Sequence, residues 1–249
     1  MIKSYHHSNW LNNLENNNNF KMSVFEHLEE LRQRTLKATL FFIIVTCLSL
    51  KDINFVSSIL IRPALGIKFL QLAPGEYFFA TVKVSIYTGI LFSSPFIIYQ
   101  LVLFILPGLT TKEAQVFLPL VASSILLFFS GLYFAYNILI PASLYFFINY
   151  GSDIVEPLWS FEQYFDFVIL VLISTGITFQ IPILQILIGL LNIVSSRTML
   201  ESWKYVLFFS TILGAILTPS TDPITQLSLS VAIVSLYFIS AFIVKSIEK

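Results

Sequence analysis

Long apolar runs separated by short polar links dominate the chain. Taken between flanking charges, six runs read as membrane-spanning helices: Leu36–Leu50, Val84–Leu106, Val116–Ile148, Phe161–Leu191, Tyr205–Leu217 and Ile224–Val244. The third and fourth exceed the roughly 20 residues that cross a bilayer, so they are expected to tilt, bend or protrude. Pro141 in the third, Pro182 in the fourth and Pro95 in the second each remove a backbone donor and are the expected bend sites. The first and fifth runs are short. Ala38–Leu50 and Tyr205–Leu217 reach about 20 Å against a hydrocarbon core of about 30 Å. A thinned bilayer or shelter among neighbouring helices accommodates such a span. A re-entrant segment is the alternative, weakened for the first run by the charged helix in front of it.

The links differ in character. Lys51–Lys83 is the longest and is expected to form short helices capping one face. Asn149–Ser160 carries Asp153 and Glu156, and Thr218–Pro223 is a tight turn bracketed by prolines. No repeat of fixed period is present. Before the first run, residues 1–22 include Asn12, Asn13 and Asn16 through Asn19, a low-complexity stretch that reads as a disordered tail. It has neither the apolar core of a secretory signal nor the Arg/Ser bias of a transit peptide, so the first span is expected to serve as the insertion signal. Residues 23–249 then form a single membrane domain.

Composition agrees with that setting. Of the 249 residues, 56% are hydrophobic and 11% charged, and the mean hydropathy is +0.82. A soluble domain carries about a quarter charged residues, so most of this surface faces something other than water. The predicted fold class is an all-α integral membrane protein with six transmembrane helices. Net charge is zero, but its placement is uneven. One side holds ten bases (Lys3, Lys21, Arg32, Arg34, Lys37, Lys112, Arg197, Lys204, Lys245, Lys249) and the other four (Lys51, Arg62, Lys68, Lys83). The excess of bases puts both termini on the cytoplasmic side or its organellar equivalent. Cys47 is the lone cysteine, so no intrachain disulfide and no Cys/His metal spacing exists. His6 and His7 lie on the polar tail, and His27 reads as a surface histidine.

The chemistry worth weighing lies where the first run begins. Ser23 and Glu26 fit a capping box, opening a charged helix that runs into the first span. It places Phe25, Leu28, Leu31 and Thr35 near one face and Glu26, Glu29, Glu30, Gln33 and Arg34 on others. Glu30 and Arg34 are four apart and Glu29 and Arg32 three apart, the spacing of helical ion pairs. One reading is an amphipathic interfacial helix with internal pairs. The other is a carboxylate reserved for a cationic visitor, since carboxylates take guanidinium groups in two-point contacts.

His27-Leu28-Glu29-Glu30-Leu31-Arg32-Gln33-Arg34 resembles the entry motif of the TatC family, the multi-span receptor subunit of the twin-arginine protein translocase. Further matches follow in order: Pro63 in the first outer loop, then Phe104-Ile105-Leu106-Pro107-Gly108-Leu109 with Lys112-Glu113 at the end of span two. Gly131, Phe134 and Pro141 match span three, Phe179-Gln180-Ile181-Pro182 span four, and Leu217-Thr218-Pro219 with Asp222 and Gln226 the last outer turn. The resemblance implies that Glu30 and Glu113 bind the paired arginines of a signal peptide, with Arg32 and Phe104 shaping that surface. Pro63, Pro107, Leu109, Gln180 and Asp222 are implied as structural or partner positions. The family often carries a buried glutamate where this chain has Gln180. An amide cannot ionise, so proton-coupling schemes that need that carboxylate do not transfer.

What the resemblance implies is a receptor and core subunit for proton-gradient-driven transport of folded proteins. Its partners would be twin-arginine signal peptides, single-span TatA/TatB-type subunits recruited near Thr178 and Gln180, further copies of the chain, and the bilayer. No HExxH, GxSxG or nucleotide loop is present, so no enzymatic role, cofactor, metal or nucleic acid is expected. A small-solute transporter would need a polar midplane site, for which Gln180 and the prolines are the only support. A purely structural assembly factor would show no peptide specificity. The asparagine tract, the Ile- and Phe-rich composition and the Gln180 variant, which resembles the cyanobacterial and plastid branch, point to a plastid thylakoid membrane. A bacterial or cyanobacterial inner membrane is the alternative.

Overall fold

The first apolar run and the charged stretch before it form one unbroken helix, α1 (Val24–Lys51), of 28 residues, about 42 Å long. Only its apolar part is short; the helix itself is long enough to cross. The computed structural model describes residues 24–64, 66–105, 111–150, 158–190, 193–217 and 223–248. The asparagine-rich tail and the Ser23 cap lie outside the described residues.

Helix α3 (Glu76–Ile105) runs antiparallel to α1. His27 meets Phe104, Phe41 meets Phe96, and Thr46 lies against Gly89, so positions climbing one helix descend the other. A Cβ on Gly89 would fall 2.1 Å from Thr46 Oγ1, so the seam closes only with glycine there. The rest of α1 is bare: Leu36, Leu40, Ile43, Ile44 and Leu48 are all exposed, as lipid-facing side chains are. Helix α3 runs unbroken through Pro95, the bend site expected in the second span. The Leu91 carbonyl, which a proline four residues on cannot reach, accepts the Ser94 hydroxyl at 2.7 Å instead.

The third span does change form near its proline. Helix α4 (Thr111–Phe134) passes into a π-turn, Ala135–Leu139, and then into α5 (Ile140–Asn149), with Pro141 at its start. The fourth breaks ahead of Pro182. Helix α6 (Phe161–Thr178) ends, Phe179 and Gln180 form a turn, and α7 (Ile181–Leu190) resumes. Gly131 lets α4 pack over that break, because a Cβ there would lie 2.8 Å from the Phe179 ring.

The long link is largely helical, as expected: α2 (Ile53–Ile61) and a 3-10 turn, Arg62–Ala64, which holds Pro63. Tyr136 and Tyr164 donate their hydroxyls to the carbonyls of Ile59 and Leu60, both at 2.7 Å, satisfying the end of α2 from inside the bundle. A two-residue parallel pair, β1 (Phe69–Leu70) with β2 (Trp159–Ser160), was not predicted. The Glu76 carboxylate fastens it, accepting from Leu72 N (2.5 Å), Ala73 N (3.1 Å), the Ser160 hydroxyl (2.5 Å) and Glu162 N (3.3 Å). Nearby, Lys83 Nζ lies 2.9 Å from both Glu162 and Asp166. These contacts close the end of the molecule opposite the start of α1.

A short helix, α8 (Ser196–Glu201), leads to α9 (Trp203–Leu217) and α10 (Pro223–Ile247). Five described helical stretches are long and apolar enough to cross a membrane; α9, with 15 residues or about 22 Å, is the short sixth. The main core surrounds the π-turn and α6, where Leu139, Ile140, Phe165 and Val168 are fully buried.

Replacing Gly131 with alanine is expected to force the Phe179 ring aside and destabilise the protein by about 1–3 kcal/mol. A lowered thermal midpoint in detergent, partly restored by Phe179→Leu, checks this.

Candidate functional site

The antiparallel seam brings the charged start of α1 to the C-terminal end of α3. The rings of His27 and Phe104 stack at 4.2 Å with an interplanar angle of 16°. One turn further along α1, Glu30 sits beside this pair, its Oε2 3.8 Å from His27 Nδ1. Glu30 Oε1 accepts from Arg34 Nε at 2.9 Å and also from Arg34 Nη2. The Glu30 side chain is only 18% exposed and Arg34 21%. Arg32 instead pairs with Glu29 at 3.5 Å in the open, at 70% and 51% exposure.

Below this rim a cleft of about 280 Å³ opens between α1 and α3. Leu31, Arg34, Thr35, Phe42, Gln100 and Phe104 are among the residues that line it. Leu31 and Thr35 therefore border it, whereas Phe25 and Leu28 are exposed and do not. Glu113 occupies the first turn of α4, whose start follows α3 after a short link and so lies at the same end. Its side chain, together with Pro107, Leu109 and Asp222, lies outside the described residues. The structure thus unites Glu30, Phe104 and, less closely, Arg32. His27 and Arg34 are site neighbours that motif reading did not single out. The Arg34 contact was written in the four-residue spacing, but the His27–Phe104 stack joins distant parts of the chain.

Gln180 lies elsewhere. Its Oε1 accepts the Ser124 hydroxyl and its Nε2 donates to the Ser124 carbonyl at 3.2 Å, linking the fourth-span break to α4. Thr178 donates to Ser174 O at 2.7 Å. Both residues expected to face partners are thus engaged internally. A buried amide, Gln185, accepts the Ser240 hydroxyl at 2.5 Å and ties α7 to α10. Among the described residues, no group of three or more His, Cys, Asp or Glu side chains is placed to hold a metal.

At the same end as Glu30, the Glu248 carboxylate accepts from Ser196 N at 2.9 Å, anchoring the end of the chain to α8. Hydrogen bonds from Ser196, its side chain first and its backbone N–H second, hold the Glu248 carboxyl below the usual carboxylate range.

These features define a polytopic helical membrane protein with a charged, partly covered surface at one end. The chain matches the family model for the Sec-independent protein translocase protein TatC over residues 26–231, and it belongs to that family. It is 58% identical to the tatC-like protein ycf43 of Gracilaria tenuistipitata var. liui, covering 94% of this chain and 98% of that one. It is 45% identical to the chloroplastic TATC protein of Pisum sativum, over 90% of this chain and 64% of that one. A crystal structure of the twin-arginine translocase receptor TatC in DDM superposes with a TM-score of 0.74 at 32% identity, covering 88% of this chain and 99% of that one. The chain is therefore an all-α, six-span translocase subunit rather than an enzyme.

Because the Glu248 carboxyl is depressed in the folded state, its contribution is present above the unfolded carboxylate value and is lost as pH falls through the folded one. Protection of the Ser196 amide against hydrogen exchange is expected to drop on acidification. In Glu248→Gln it should be low at every pH.

Proposed function

We propose that this chain is the signal-peptide receptor and core of a twin-arginine translocase, with Glu30 and Glu113 as the acceptors of the arginine pair. The observation that carries this reading is Glu30 itself, a partly covered carboxylate already matched to a guanidinium at the rim of an apolar cleft. A signal peptide presents a basic stretch followed by an apolar one, the same order of chemistry that rim and cleft offer. Phe104 supplies the wall beside Glu30. Arg32, held only by an exposed pair with Glu29, is free to contribute to the surface. Both termini lie on the stromal or cytoplasmic side, the side favoured by the ten-to-four division of bases. The membrane is the plastid thylakoid, in line with the chloroplastic relative. The proton gradient supplies the energy.

Partners of the single-span TatA/TatB type are assigned to the outer face of α9. Tyr205, Phe208, Phe209 and Ile216 are exposed there, while Ser210 and Gly214 turn inward to α10. Gln180 serves as an internal strut in this scheme. The short α9 supports a locally thinned bilayer beside the receptor, which lowers the barrier for folded cargo.

Binding of a twin-arginine peptide to the protein in nanodiscs is expected to exceed that of its twin-lysine version. Glu30→Gln and Glu113→Gln should each cost about tenfold or more. Equal binding of both peptides, unchanged in either variant, would contradict the receptor reading. Inserting four leucines into α9 should impair transport while leaving peptide affinity intact; unimpaired transport would sink the thinning mechanism.

A further inference from the structure

We propose that Arg34 is a resident arginine that occupies Glu30 in the unliganded protein, so that an incoming guanidinium gains this carboxylate by exchange. The proposal rests on the reading of Glu30 as an arginine acceptor and concerns how that acceptor is kept and released.

One carboxylate oxygen of Glu30 is taken by Arg34 and the other is buried. Oε1 is held by Arg34 through two nitrogens, Nε at 2.9 Å and Nη2. Oε2 is buried and receives no hydrogen bond. His27 Nδ1 lies 3.8 Å from it, and the His27 ring is stacked on Phe104. A visiting guanidinium takes over the contact with Oε1 only by displacing Arg34, and Oε2 lies buried beside His27. The neighbouring pair sets the contrast. Glu29 and Arg32 stand 3.5 Å apart with more than half of each side chain in solvent, and they obstruct nothing. The released Arg34 has somewhere to go, because it already lines the cleft between α1 and α3 that Gln100 shares.

Exchange explains discrimination better than simple attraction does. A guanidinium replaces a guanidinium like for like, in a two-point contact with the carboxylate. An ammonium brings the same charge as a single point and leaves part of the displaced contact unmade. The resident arginine thereby sets a threshold that arginine passes and lysine does not. Removing it should tighten binding generally and erode the preference, a combination that a merely structural ion pair does not produce.

The test uses the full chain in nanodiscs, with twin-arginine and twin-lysine peptides. Arg34→Gln is expected to bind the twin-arginine peptide roughly threefold or more tightly. It should bind the twin-lysine peptide more tightly still relative to wild type, so that the ratio of the two affinities shrinks. Glu30→Gln/Arg34→Gln should show no such gain. Arg34→Lys keeps the charge but not the fork, and it carries the same comparison if Arg34→Gln fails to fold. Unchanged or weaker twin-arginine binding in these variants, with the wild-type ratio retained, overturns the exchange while leaving Glu30 as acceptor. Wild-type protein that binds both peptides equally, and is insensitive to Glu30→Gln, overturns the acceptor reading and the exchange with it.

Discussion

In hydrocarbon, a polar group with no partner costs several kcal/mol, because no water is available to satisfy it. Much of this architecture answers that constraint at the places where helices stop or bend. The fourth span breaks at Phe179 and Gln180, and the Gln180 amide engages both the hydroxyl and the carbonyl of Ser124 across the interface. The end of α2 would leave carbonyls bare, and the hydroxyls of Tyr136 and Tyr164 reach two of them. Proline in α3 frees the Leu91 carbonyl, which Ser94 takes up. Gln185 and Ser240 satisfy each other between α7 and α10. Apart from the local Ser94 bond, these polar ties join elements far apart in sequence and so also fix the bundle.

The two ends of the molecule are finished differently, and the proposed function draws on the difference. At one end Glu76 gathers four donors, and Lys83 is held between Glu162 and Asp166, leaving those charges spent on structure. At the other end Glu248 anchors α8, while Glu30 and Arg34 sit on the seam where α1 lies against α3. A helix exposed along most of its length, with its acidic start leaning on Phe104, is well suited to meet a partner from the membrane side or from water.

Much of this was legible in the chain. Apolar runs bounded by charges located the helices, and Pro141 and Pro182 marked the two spans that change form. The helix continues through Pro95, and the Ser94 hydroxyl that takes up the freed carbonyl depends on a rotamer that periodicity does not encode. The strand pair of Phe69–Leu70 with Trp159–Ser160 was invisible, since two residues carry no alternation and the pairing depends on Glu76. The site was half readable. Spacing of four predicted the contact of Glu30 with Arg34, and the motif named Phe104. That His27 would lie between them required the α1–α3 register, which is set by the close approach of Thr46 to Gly89. The partner of Gln180 was likewise hidden, because Ser124 lies in a different span.

The central claim is that the acidic start of α1, held against the end of α3, reads the arginine pair of a signal peptide. The most direct measurement is site-specific photo-crosslinking from a probe placed beside the arginine pair, with the adducts mapped by mass spectrometry on the protein in nanodiscs. Adducts at the start of α1 and around Phe104, displaced by unlabelled twin-arginine peptide, are the predicted result. Adducts confined to the opposite end of the bundle, or spread evenly and unmoved by competitor, would contradict the account.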